Sequence, residues 1–127
     1  MAGEFDELYA LSRDLGDAAD ASAFIRKAVQ VTSVNVKDEA RQSASKRREI
    51  GHAAAAIDFD LHESSDGVES EIGYRKGGVG DLGNIIEFGN PRFSPSHDLG
   101  NALLNNESDF EHGLDRAIDD ALKRSNL

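Results

Sequence analysis

The sequence predicts an α+β fold: two N-terminal helices (one long), an antiparallel β-hairpin or small sheet, a Gly/Pro loop, and a C-terminal helix packed on the sheet. Three observations predict it. Apolar residues keep steps of three and four from Phe24 to Ser43, the mark of a helix with one buried stripe. Between Ile57 and Tyr74 the period drops to two, the mark of half-buried strands. From Ser108 to Arg124 the helical period returns, with acids at one end and bases at the other, as a helix dipole favours.

In chain order, Phe5, Leu8, Leu11 and Leu15 lie at helical spacing and Gly16 offers a stop, which gives a short first helix. Asp17 or Asp20 caps the second. Its inward stripe is Phe24, Ile25, Ala28, Val29, Thr32, Val36, Ala40 and Ser43. Lys46-Arg47-Arg48 ends that pattern and is the one basic cluster. Either it complements the C-terminus of the long helix or it meets an acidic partner subunit.

Ile57, Phe59 and Leu61 then alternate with Asp58, Asp60 and His62, and Val68, Ser70, Ile72 and Tyr74 with Glu69 and Glu71, across the turn Ser64-Ser65-Asp66-Gly67. The hairpin therefore has a buried face and an acidic face of Asp58, Asp60, Glu69 and Glu71. Like charges facing each other across strands repel, so that face implies open water, a cation, or basic groups from a neighbour. Arg75 to Gly83 reads as a loop. The stretch from Asn84 to Pro95 holds both prolines and borders the densest glycine cluster, so the chain bends there. Its apolar residues Ile85, Ile86 and Phe88 surround a single carboxylate, Glu87, an arrangement suited to docking one element, or one subunit, on another. Leu99 to Leu104 makes a short helix. A capping box at Ser108-Asp109-Phe110-Glu111 starts the closing one, whose apolar face is Phe110, Leu114, Ala117, Ile118, Ala121 and Leu122.

A length of 127 residues fits a single domain over 1–127. No run approaches the roughly 20 apolar residues of a membrane span. The acidic start Met1-Ala2-Gly3-Glu4-Phe5-Asp6 does not read as a signal peptide. There is no cysteine, so there are no disulfides and no thiolate metal sites. With 14 basic and 24 acidic residues the formal charge is −10, the wrong sign for gripping nucleic acid.

Chemistry is sparse. Gly78-Val79-Gly80-Asp81-Leu82-Gly83 matches G-x-G-x-x-G, but a dinucleotide fingerprint belongs between a strand and a helix of a βαβ unit. His52, His62, His97 and His112 are scattered, no serine sits in a nucleophile elbow, and Asp58 with Asp60 makes a weak cation site at most. Asn106-Glu107-Ser108 fits a glycosylation sequon, which matters only in a secreted chain. We expect no enzymatic activity, no catalytic residue, no metal and no cofactor.

The order of these segments resembles the tail-completion, or minor tail and neck, proteins of long-tailed bacteriophages. Phe5-Asp6-Glu7-Leu8 to Leu15 looks like their opening helix. Ile85-Ile86-Glu87-Phe88-Gly89-Asn90 looks like their Y-V-E-[FY]-G-T signature, and Phe93-Ser94-Pro95 to Leu103 stands where they carry a P-x-P-F-L-x-P-A-like run. Asn90 replaces the signature's Thr, and Ser45 to His52 keeps little beyond Gly51 of their segment before the first strand. The resemblance implies a structural virion protein, assembled in the host bacterial cytoplasm, that forms a homo-oligomeric ring in the neck (a hexamer, with a dodecamer as the other option). Its neighbours would be the connector or head-closure ring and the tail-terminator ring. Genome DNA would pass through an acidic lumen without sequence-specific binding, and no membrane is involved. On that reading the interface residues are Ile85, Ile86, Glu87 and Phe88, the loop with Lys76, Gly77, Gly78 and Asp81, and the cluster Lys46, Arg47 and Arg48. The other function class is a small acidic adaptor or inhibitor, mimicking DNA toward a basic protein.

Overall fold

The computed structural model describes residues 9–14, 21–48, 51–65, 67–91 and 94–125. They form strand β1 (Tyr9–Asp14), helix α1 (Ala21–Ser45), a 3₁₀ turn (Gly51–Ala56), strands β2 (Ile57–Ser64) and β3 (Gly67–Tyr74), helix α2 (Val79–Phe88) and helix α3 (Asp98–Ser125). The fold is α+β. The sheet is antiparallel and ordered β1-β3-β2. The hairpin closes at Ser64↔Gly67, and Phe59↔Ile72 and Leu61↔Ser70 share the inner face.

The long helix forms where the stripe requires it. Ile25, Val29, Thr32, Val36 and Ala40 are buried and lie across β2 and β3. Helix α3 runs antiparallel to α1 and packs mainly on it, reaching the sheet at Val68 through Phe110 and Leu114. Two apolar clusters result. One joins Val36, Ala40 and Ala44 to Ile57, Ile72, Tyr74 and Leu99. The other joins Ile25 and Val29 to Val68, Phe110 and Leu114. Between them runs a polar belt in which the Ser33 and Ser70 hydroxyls lie 2.5 Å apart. In the same belt the Asn106 side-chain amide donates to Glu39 Oε1 (3.2 Å) and to the Ala102 carbonyl (2.8 Å).

Three expectations are corrected. Tyr9–Asp14 is a strand paired to β3 from Tyr9↔Ile72 to Asp14↔Gly67, not part of a first helix; Phe5, Leu8 and Leu15, and the candidate caps Asp17 and Asp20, lie outside the described residues. A short segment pairs with β3 because its open edge would otherwise expose a row of backbone donors and acceptors. Arg75 to Gly83 is not all loop: α2 begins at Val79 and continues to Phe88, so the expected bend comes after it. Finally, the short helix and the closing helix are one. Buried Leu99, Ala102, Asn106, Phe110, Leu114, Ala117 and Ala121 keep one unbroken stripe, and Ser108-Glu111 sits inside the helix instead of starting it.

Candidate interaction surface

Helix α2 inverts the usual amphipathic arrangement. Gly77 and Gly78, both at positive φ, turn the chain out of β3, and Asp81 Oδ1 accepts the Gly77 N–H at 3.0 Å. The helix then lies against the end of the sheet on Gly80 and Gly83. A Cβ on Gly80 would stand 1.7 Å from the Arg75 carbonyl oxygen, and one on Gly83 would stand 2.2 Å from the Tyr74 ring. Gly80, Gly83 and Glu87, at steps of three and four, form the buried face. The large apolar residues point the other way: Val79, Leu82, Ile85 and Phe88 are 44, 39, 42 and 38% exposed. Apolar area presented to water in this way costs free energy that covering it would recover.

The glycine motif thus has a packing role. Contrary to the loop expectation, all of it past Gly78 lies within α2, but α2 leads to another helix and the sheet is antiparallel. Asp81 puts a negative charge in the first turn of α2, which disfavours a phosphate there.

Glu87 is fully buried. Its Oε1 accepts the Leu99 N–H at 2.7 Å and its Oε2 the Gly100 N–H at 3.2 Å, so a carboxylate from α2 satisfies two of the backbone donors left open at the start of α3. Beside it Arg47 grips Asp98 with two of its nitrogens, Nε to Oδ2 at 2.6 Å and Nη2 to Oδ1 at 2.8 Å. This bidentate bond raises the Arg47 pKa further, against a smaller opposing effect of burial. Burial, with the negative charges of Asp98 and Glu87 nearby, pushes the Tyr74 hydroxyl up to about 12. The linker is fastened to α2 as well: the Ser96 and His97 N–H groups donate to the Ile86 and Glu87 carbonyls at 2.8 and 3.3 Å.

The expected interface residues therefore divide. Ile85 and Phe88 are on the outward face of α2, with Asp81 beside them and Lys76, Gly77 and Gly78 exposed at its start. Ile86 packs against the core. Glu87 is buried and caps α3, and Arg47, half-buried, is paired with Asp98 at the same helix start. Lys46 and Arg48 remain exposed. Val79 and Leu82 were missed, hidden in a run that its glycines made look like loop, although their spacing to Ile85 is helical.

On the outer sheet face, Asp60 stands opposite Glu71 and His62 opposite Glu69. Asp58 is held by Arg75, and His62 Nε2 lies 3.6 Å from Glu71. Partial burial would push the Asp58 carboxyl up, but the Phe59 N–H and the Arg75 guanidinium together hold it below its ordinary value. The chain's own bases thus meet part of this charge. Among the described residues no group of three or more His, Asp or Glu is placed to hold a metal ion, and no helix is long and apolar enough to cross a membrane.

A concavity lies at the other end of the helix pair. Between α1 and α3 a groove of about 560 Å³ is floored by Phe24, Ala28, Thr32, Gly113 and Ala117. Lys27 from α1 and Arg116, Asp109 and Asp120 from α3 also line it, two charges of each sign. Nothing in the sequence reading pointed to it, since a groove is set by how two helices diverge.

No family model matches the chain, and neither does any curated protein or solved structure.

Proposed function

We propose that this protein is a structural subunit that assembles with copies of itself into a ring, in the manner of the tail-completion or neck proteins of long-tailed bacteriophages, joining head to tail and letting the genome pass. The observation that carries the self-assembly is the outward apolar row of α2 over an inward face of glycines and Glu87. The placement in a phage neck rests on the order of sequence segments that resembles that family. Of these segments, the E-F-G stretch is the one whose residues have defined places in the fold. Its Glu87 has a defined task in fixing α3 against α2, and its flanking Ile85 and Phe88 lie outward. The opening segment supports the resemblance less, because Tyr9–Asp14 is a strand.

A net charge of −10 suits a passage that duplex DNA must traverse without sticking. The reading involves no turnover of substrate. Deleting the gene from a phage that carries it tests the role: heads and tails should accumulate unjoined, and complementation should restore joined particles. Infectious particles with attached tails, formed without the protein, would remove the neck assignment.

A further inference from the structure

We infer that Arg41 and Asp58 seal the outer edge of β2 against strand addition, so that no strand of a second copy continues the sheet on that side. The inference goes beyond the ring reading and does not depend on it, since it says where copies of this chain do not join.

The pairing register shows which backbone groups lie on that edge. Facing residues of an antiparallel pair alternate between those that exchange hydrogen bonds and those that do not. The Arg75 N–H donates to the Ala56 carbonyl at 2.7 Å, one step beyond the pair Ile57↔Tyr74. Ile57, Phe59, Leu61 and Glu63 are therefore the residues of β2 that turn their N–H and C=O groups away from β3. In the strand order β1-β3-β2 nothing pairs with β2 on that side. A row of this kind is a template for another chain.

Two adjacent groups of the row are already taken. Arg41 reaches across from α1, its Nε donating to the Ile57 carbonyl at 2.7 Å and its Nη2 to the Ala55 carbonyl at 3.3 Å. The Phe59 N–H donates to Asp58 Oδ1 at 2.9 Å, and Arg75 holds the other oxygen of that carboxylate in place. One turn before Arg41, Lys37 sets its ammonium 5.5 Å from the centre of the Phe59 ring. An arriving strand would have to displace these bonds to make its own, so it gains little. Among the described residues no side chain is bonded to the Leu61 backbone, but the tip from Leu61 to Glu63 is shorter than a usual strand of about five to six residues. It also carries the Arg26–Glu63 ion pair, and charge at an edge discourages pairing.

Hydrogen exchange read amide by amide tests this on the wild-type protein. The Leu61 N–H faces the open tip, so it should exchange at the same rate in dilute and concentrated protein, whatever assembly forms. Slowing by roughly tenfold or more, the scale of a single net hydrogen bond, would show another copy on the edge and overturn the inference. A double variant, Arg41→Met with Asp58→Val, opens the seal while keeping an aliphatic stem at the first site and a strand former at the second. Sedimentation velocity should find it forming larger species than wild type as concentration rises, with the Leu61 amide slowed in them. Sedimentation identical to wild type at every concentration, with an unchanged circular dichroism spectrum, would overturn the inference. So would larger species in which the Leu61 amide exchanges as freely as before. If the double variant does not fold, the wild-type measurement decides alone.

Discussion

Glu87 shows how a single side chain can stand out in a sequence before its direction is known. Its isolation among Ile85, Ile86 and Phe88 is anomalous for a loop, and the anomaly is real. Helical pitch, however, puts Glu87 on the side of Gly80 and Gly83 and turns Ile85 and Phe88 outward. Replacing it by alanine would leave the Leu99 and Gly100 donors without their acceptor next to a buried leucine. Glu87→Ala should lower folding stability by about 3 kcal/mol, the scale of losing charge-assisted bonds to buried groups. Chemical denaturation of the two proteins measures it, and a loss under about 1 kcal/mol would show that α3 does not depend on this cap. Tyr74 supplies a pH test. Its folded pKa, about 12, lies above its ordinary 10.0, so the fold favours the neutral phenol. That contribution is fully present below pH 10 and is lost as pH rises toward 12. Wild type should therefore lose more stability over this interval than Tyr74→Phe, which has no proton to release. Parallel pH profiles for the two would contradict the buried, negatively surrounded phenol.

At the scale of elements, periodicity was a good guide wherever the buried face is also the apolar one. That held for the α1 stripe and for the β2–β3 pairing, where Ile57, Phe59, Val68 and Ile72 alternate with charge. It failed where the buried face is not apolar. In α2 the inner face is glycine and carboxylate, so the segment looked like a loop followed by a bend. In α3 the inward position Asn106 is polar, bonded to Glu39 and Ala102, and that broke one helix into two. For β1 the helical period was present, yet the open edge of β3 decided the outcome. The two inner glycines of α2 lead to a graded prediction. Gly80→Ala pushes a Cβ against backbone at 1.7 Å, whereas Gly83→Ala meets a ring at 2.2 Å that has some freedom to shift. Thermal unfolding should rank Gly80→Ala as the more damaging, at roughly 3 kcal/mol or more, with Gly83→Ala nearer 1–3 kcal/mol, the range for overpacking a tight contact. The reverse order would mean that α2 does not rest on the sheet end in this way.

At the scale of the whole molecule, composition was informative about what the chain is not suited to, and silent about geometry. Acidity argued against gripping nucleic acid, and the lack of nucleophile or metal constellations argued against several kinds of catalysis. Neither could place a ridge at one end of a helix pair and a groove at the other. Those depend on the antiparallel packing of α1 and α3 and on where Glu87 and Arg47 anchor the bend, which are long-range contacts. The account stands on the outward face of α2 being a surface for another copy of the chain. Native mass spectrometry of the purified protein tests this most directly. The expected spectrum is dominated by one closed assembly, an integral multiple of the 13.7 kDa chain such as a hexamer, that persists on dilution. A spectrum holding only the 13.7 kDa species at every concentration tried would contradict it.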